Sequence, residues 1–224
     1  MTIHKTKYPR TYHLPYSPTM TDDDKRLEND SHFYDMREVV VTVKMDGENC
    51  TVYNDGTLHA RSIDGHGYPW QSKVAGLIQN WCYSIPDGWR VCGENLQAVH
   101  SIPYTFMSYD ELFQCFGIYN DRNECISWDD TMKFCIDNGI EYVHEIYRGK
   151  YDKEKIMEAF NVFCSRMEAM DQEVEGFVVR NSDAFKYDDF SKNVGKYVRK
   201  DHVKTDEHWT KNWKNNEVLK LNMR

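Results

Sequence analysis

A lysine that ends an apolar run is the residue best placed to do chemistry. Val39, Val40, Val41 and Val43 lead into Lys44-Met45-Asp46-Gly47, and Glu48-Asn49 then open another β-like segment. A strand-end lysine with a glycine three residues on can hold its amine inside a cleft. There, desolvation and neighbouring cations lower its pKa, and the neutral amine can attack phosphorus. Taken alone, the tetrapeptide reads equally well as a β-turn carrying a solvated lysine. No His/Asp spacing suggests a metal cage, and neither a glycine-rich phosphate loop nor a Ser/His/Asp set stands out.

The elements that must position this lysine follow from periodicity. Residues 1–37 form a lead-in segment with prolines at 9, 15 and 18, where Thr21 is placed to cap a short acidic helix over 22–29. Strands are expected over 39–44 and 50–53, and Asp55-Gly56 signals a hairpin into 57–61. Val74, Leu77, Ile78 and Trp81 recur at spacings of three and four and predict a helix over 71–83. A strand over 89–94, a Ser108/Glu111 capping box and a strand over 113–119 follow. Two further helices are predicted: 129–138, stopped by Gly139, and 152 to about 170, with Ile156, Phe160, Phe163, Cys164 and Met167 on its apolar face. The last strands fall at 174–180 and 194–199. Strand pairs interrupted by single helices predict an α+β domain built on antiparallel sheets, with no repeat and no domain boundary across 1–224.

Composition excludes several classes. With 224 residues, 40% hydrophobic and 14% aromatic, the chain is neither disordered nor fibrous. No apolar run of membrane-spanning length occurs, and residues 1–5 lack the apolar core of a signal peptide, so a cytoplasmic location with no membrane partner is expected; the chain is also expected to be a monomer. Seven scattered cysteines without a Cys-x-x-Cys read as reduced core thiols. The net charge of −8 argues against coating long nucleic acids. Residues 192–224 nonetheless carry nine basic and four acidic side chains, a net of +5, which leaves −13 for the rest. That basic end, with its short tail 201–224, is either a solvated surface or a phosphate-facing one.

Downstream of Lys44 come Ala60-Arg61-Ser62, Cys92-Gly93-Glu94-Asn95, Phe116 in the aromatic segment 113–119, Val174-Glu175-Gly176, and Val194-Gly195-Lys196. Lysine, arginine, Gly-Glu, aromatic strand, Glu-Gly and basic strand, in that order, resemble the covalent nucleotidyltransferases. In wording the chain is similar to the ATP-dependent RNA ligases, from Pro9-Arg10-Thr11-Tyr12-His13-Leu14-Pro15 through 93–102 to 196–209. That last stretch resembles a group of bacterial and phage RNA ligases.

The resemblance implies a nucleotidyltransferase (ATP-grasp-like) fold with flanking helices. It implies ATP and Mg²⁺ (or Mn²⁺) as cofactors and RNA ends bearing 5′-phosphate and 3′-hydroxyl as partners. Lys44 would become the AMP-lysine, with Asp46 and Gly47 beside the nucleotide. Asn49 would stand near a metal-bound water, and Arg61 would offer a fixed fork to phosphate. Glu94 would accept from the ribose or hold the metal directly or through water, while Glu175 would bind the divalent ion. Phe116 would stack on adenine, with Phe113 as its alternative, although Gly117 stands where the family usually has an acid. Lys196 would contact the α-phosphate and lower the pKa of Lys44. Many relatives carry Lys-x-Lys here, whereas this chain has Val198 in the second place. Arg199 or Lys200 could serve instead if a bulge shifts the register.

Each residue also has a plainer role: a turn asparagine, an edge arginine, a structural salt bridge, a core aromatic. His100, His202 and His208 are as readily structural as ligating. In the tail, Lys204, Lys211 and Lys214 could meet phosphate, and Trp209 and Trp213 could stack on bases or pin the segment to the core. Few residues follow Lys200, so an additional OB-fold is not expected. Four readings remain: RNA ligase, small DNA ligase, capping-type guanylyltransferase, and a non-catalytic module that binds nucleic-acid ends.

Overall fold

Val39, Val41 and Val43 alternate with Val40, Thr42 and Lys44, and both sets are covered, which places their strand in the middle of the molecule. The computed structural model describes residues 4–20, 24–200, 210 and 212–219. Numbered in chain order, the strands form two large sheets. One runs β1 (Tyr12–His13), β12 (Val194–Val198), β10 (Gly176–Asn181), β2 (Val39–Lys44), β9 (Glu145–Gly149). The other runs β11 (Phe185–Lys186), β8 (Glu124–Cys125), β7 (Phe113–Tyr119), β5 (Arg90–Asn95), β3 (Glu48–Val52), β4 (Leu58–Ala60). A short ladder joins β13 (Glu217–Val218) to β6 (Thr105–Phe106). Within the two large sheets pairing is antiparallel, except that β1 lies parallel to β12. This is the expected α+β fold on antiparallel sheets.

Each sheet buries its outer face under helices. Val39, Val41, Val43, Phe177 and Val179 pack with Ile156 and Phe160 of α4 (Lys153–Glu168), the Phe160 and Phe177 rings meeting edge-on at 5.0 Å. Removing such a side chain from water is worth about 1.5–3 kcal/mol. Asp152 caps α4 by accepting from the amides of Glu154 and Lys155 at 3.1 and 3.2 Å. Under the other sheet, Val52, Val91 and Cys115 pack with Val74 of α2 (Ser72–Leu77) and Cys135 of α3 (Trp128–Asn138). Gly139 ends α3 in the left-handed conformation, φ 65°, as the sequence predicts. Between the two sheets lie Val40, Trp128 and Val143 at one side and Tyr8, Cys92, Tyr119 and Val194 at the other.

Two predicted helices are not formed as drawn. Over 71–83 only α2 is α-helical. It is flanked by single 3₁₀ turns at Pro69–Gln71, Ile78–Asn80 and Cys82–Ser84, because burial of Ile78, Trp81 and Cys82 bends the chain out of one axis. Over 24–29 the chain is not helical. The His13 amide donates to the Lys25 carbonyl and the Leu27 amide to that of His13, so backbone groups a helix would use are taken by the lead-in strand. Residues 21–23 lie outside the described residues. The first helix is instead α1 (Ser31–Tyr34), and α5 (Phe190–Asn193) precedes β12. All seven cysteines are free and six are buried, as expected for core thiols. Among the described residues no helix is long and apolar enough to cross a membrane.

Candidate active site

The inner faces of the two sheets enclose a cleft of about 900 Å³. Lys44 lies at its floor because β2 ends there, with alternation pointing Thr42 and Lys44 inward. Gly176 is opposite Lys44 in β10, so the preceding residue, Glu175, brings Oε2 to 2.5 Å from Lys44 Nζ. A Cβ on Gly176 would collide with the Tyr197 carbonyl, which is why this position is glycine. Gly47 is equally constrained: a Cβ there would sit 2.6 Å from the Asn95 carbonyl oxygen and 2.9 Å from Glu94 Cγ. Asp46 does not line the cleft. Its Oδ2 accepts from the amides of Ser101 and Ile102 at 2.7 and 2.8 Å, and its own amide donates to Tyr104. It is a strut for the 101–104 turn, a use that only the fold reveals.

The charge state of Lys44 corrects the sequence expectation. Burial lowers its pKa, but Glu175 and then Glu94 outweigh burial, and the net direction is up. Lys44 is thus an ammonium in the ligand-free protein. Burial is in turn the main cause that raises Glu94 to about 8 and Glu175 to about 7, against the pull of Lys44.

The six-stranded sheet supplies the opposite wall. Asn49 and Glu94 are partners in the β3–β5 register, and both line the cleft. Asn49 Oδ1 is buried without a hydrogen-bond partner. Two carboxylates that repel one another across the floor, with an orphaned amide oxygen beside one, form an oxygen donor set that fits Mg²⁺ or Mn²⁺. Among the described residues no three His, Cys, Asp or Glu side chains make a ready metal cage, so part of such a cation's shell would fall to phosphate and water. Phe116 lines the cleft half-buried, braced edge-on by Tyr8 at 4.8 Å, and its carbonyl accepts from Arg180. Phe113 is core, pressed against Gly93, and is no substitute for Phe116. Arg61 is exposed at the mouth, with Lys7 and Arg10 from the lead-in segment also on the lining.

Lys196 reaches the cleft from β12, in one cross-strand row with Val178 and Thr42. Five consecutive pairs join β10 to β12 without a bulge, so the proposed register shift is absent. Val198 consequently falls in the row of Gly176 and Lys44. It is buried, and its amide donates to Ser17 Oγ. Arg199 turns away: its Nη1 approaches the Val174 carbonyl, and it does not line the cleft, nor does Lys200. The additional basic side chains on the lining are Arg180, Lys7 and Arg10. Arg180, packed 4.8 Å over the Trp128 ring, was within reach of strand alternation, since it shares a face with Val178. Arg10 and His13 lie in the stretch 9–15 that carries part of the resemblance, which assigns them no role, and Tyr8 and Asp24 had no local signal. His100 lines the cleft, whereas His202 and His208 lie outside the described residues, as do Lys204, Trp209 and Lys211 of the tail. Trp213 packs edge-on against Trp70 at 6.3 Å, and the Lys214 carbonyl accepts from Val99, so this part of the tail is pinned to the body.

Residues 37–198 match the sequence profile of the RNA ligase family. The chain belongs to that family. Its fold is that of the nucleotidyltransferase ligases. An archaeal ATP-dependent RNA ligase superposes with a TM-score of 0.52 at 17% identity, over 86% of this chain and 48% of that one. A putative ATP-dependent DNA ligase from Aquifex aeolicus gives 0.53 at 17%, over 86% and 49%. A Naegleria gruberi RNA ligase variant with ATP and Mn gives 0.51 at 14%, over 88% and 62%. The chain spans about half the length of the first two structures. No curated protein sequence matches it. The matched span contains Lys44, Asn49, Arg61, Glu94, Phe116, Glu175 and Lys196, whereas Tyr8, Arg10, His13 and Asp24 precede it.

Proposed function

We propose that the chain is an ATP-dependent RNA ligase that joins 3′-hydroxyl and 5′-phosphate ends through a lysyl-AMP intermediate. The observation that carries this reading is that Lys44, Glu94, Lys196 and Phe116 line one cleft, with Glu175 paired to Lys44. In the first step Lys44 Nζ bonds to the α-phosphorus of ATP as the α–β P–O bond breaks, and pyrophosphate leaves. The AMP then passes to a 5′-phosphate, giving a 5′–5′ pyrophosphate and freeing Lys44. A 3′-hydroxyl finally displaces AMP and seals the strand. In such phosphoryl transfers, positioning and charge neutralisation supply most of the acceleration.

Lys44 must lose its proton before it attacks, which requires Glu175 and Glu94 to turn to another positive charge. A divalent cation, Mg²⁺ or Mn²⁺, held by Glu175 and Glu94 with Asn49 nearby, would supply that charge and neutralise the α-phosphate. Lys196 is placed to face the same phosphate, Phe116 to stack on adenine, and Arg61 to hold the outer phosphates. Asp46 and Gly47 act through the shape of the loop that aims Lys44. The reading takes the protein to be a cytoplasmic monomer that meets RNA ends and no membrane.

Incubation with labelled ATP and Mg²⁺, then denaturing electrophoresis, should give an AMP adduct on Lys44. Failure to form any adduct would sink the reading in favour of an end-binding module, and transfer from GTP alone would favour a capping-type enzyme. The match to a putative DNA ligase keeps DNA ends as a second reading. RNA and DNA nicks sealed side by side decide it, and equal sealing of all-DNA nicks would overturn the RNA assignment.

A further inference from the structure

Lys196 is gripped by a segment that precedes the family-matched span. Asp24 Oδ1 accepts from Lys196 Nζ at 2.7 Å. The other oxygen of the same carboxylate, Oδ2, stands 3.2 Å from His13 Nε2, in ion-pair range though not aligned as a hydrogen bond. His13 is itself fixed on all sides. Its ring is buried, its Nδ1 meets Ser17 Oγ at 2.8 Å, and its backbone pairs with Lys196 in the parallel β1–β12 register. Ser17 Oγ also accepts from the Val198 amide at 3.0 Å. The Leu14 amide donates to the Lys196 carbonyl, so backbone and side chain of Lys196 are held by one short stretch of chain.

We propose that Asp24, oriented by His13, is a positioning residue that aims the Lys196 ammonium at the reacting phosphate. The proposal rests on the ligase reading of the cleft. A lysine has four rotatable bonds and no geometric preference of its own, so a preorganised charge at that place needs a fixed partner. Glu175 is the alternative partner within electrostatic reach of Lys196, and it belongs to Lys44. Asp24 thereby keeps the two lysines on separate carboxylates. It also makes the lead-in segment part of the catalytic apparatus, although that segment touches neither nucleotide nor metal through these two residues. His13 is held neutral, its pKa lowered to about 4 chiefly by burial and then by Lys196, so it braces the Asp24 carboxylate without competing with Lys196 as a second cation.

The test measures two things on the full chain and on Asp24→Asn, Lys196→Ala and their combination. The first is the rate of AMP-adduct formation over a range of ATP concentrations. The second, without nucleotide, is the rate of reductive methylation at Lys196, read by peptide mass spectrometry. Asp24→Asn should lower the maximal rate on the order of tenfold, with a smaller change in the ATP concentration at half-maximum, as for lost alignment rather than lost binding. Lys196 should methylate several-fold faster, and the double variant should be no slower than Lys196→Ala alone. His13→Gln should reproduce the pattern more weakly. Multiplying effects in the double variant, or unchanged methylation of Lys196 in Asp24→Asn, would overturn the proposal. If the native chain forms no adduct at all, the ligase reading is what fails, and the methylation result still decides whether Asp24 holds Lys196.

Discussion

Two lysine–carboxylate pairs share the cleft floor and are built in opposite ways. Lys44 ends β2 and Glu175 immediately precedes β10, and the pairing of those central strands sets them side by side. Lys196 is matched instead by Asp24, delivered by an irregular segment 172 residues away in sequence. The lysine side chains are similarly covered, 24% exposed for Lys44 and 16% for Lys196, so burial does not distinguish them. Their neighbours do. Around Lys44, Glu175, Glu94 and Asp46 together overcome burial and raise its pKa. At Lys196, burial leads, Asp24 opposes it and Lys44 reinforces it, and the pKa falls. The lysine held charged at rest is thus the one proposed as nucleophile. On that reading its reactivity would come from moving carboxylates, and the effect of Lys196 from keeping one still.

The sharpest way to break this comparison is to exchange the roles. Lys44→Ala and Lys44→Arg should both abolish the adduct with the fold intact, because a guanidinium is not a neutral nucleophile at working pH. Mass spectrometry placing AMP on another lysine would show that the pairs have been misread. Lys196→Ala should leave the adduct detectable but slow its formation by orders of magnitude, on the order of 10²–10³, as for loss of one preorganised charge. Glu175→Gln removes the strongest influence raising Lys44. The methylation of Lys44 should therefore shift to lower pH even as adduct formation falls, and an unshifted profile would refute the account of its charge.

A smaller effect concerns stability of the metal-free protein. Glu94 is raised to about 8 from an ordinary 4.5, so the folded state holds a proton that the unfolded chain releases between those values. Its contribution is present below pH 4.5 and is lost as pH rises through about 8. Glu94→Gln should consequently raise the thermal midpoint over the native chain at pH 9 and change it little at pH 5; equal shifts at both would contradict the assignment. The smallest effects are expected from Arg199→Ala and Lys200→Ala, about twofold or less on adduct formation, since neither lines the cleft. A severe loss from either would restore the basic partner that Val198 lacks.

Local pattern alone determined much of this protein. The valine alternation places β2 and aims Lys44, residues 113–119 form β7 as drawn, Asp152 starts α4, and Gly139 stops α3. The order of the site residues also identified the family before any contact was known. These features are set within a few residues, by strand and helix periods and by cap chemistry. Tertiary structure decided the rest. The two-residue strand β1 has too few residues to carry a period, and the helix drawn over 71–83 is bent by the burial of Ile78 and Trp81. Arg199 and Asp46 read in sequence as nucleotide-binding, and only the unbroken β10–β12 register and the 101–104 turn give them other contacts. The charge on Lys44 depends on Glu175, 131 residues distant, and on Glu94 across the cleft. Electrostatic environment follows distance in space, and the sequence does not contain that distance until the strands have paired.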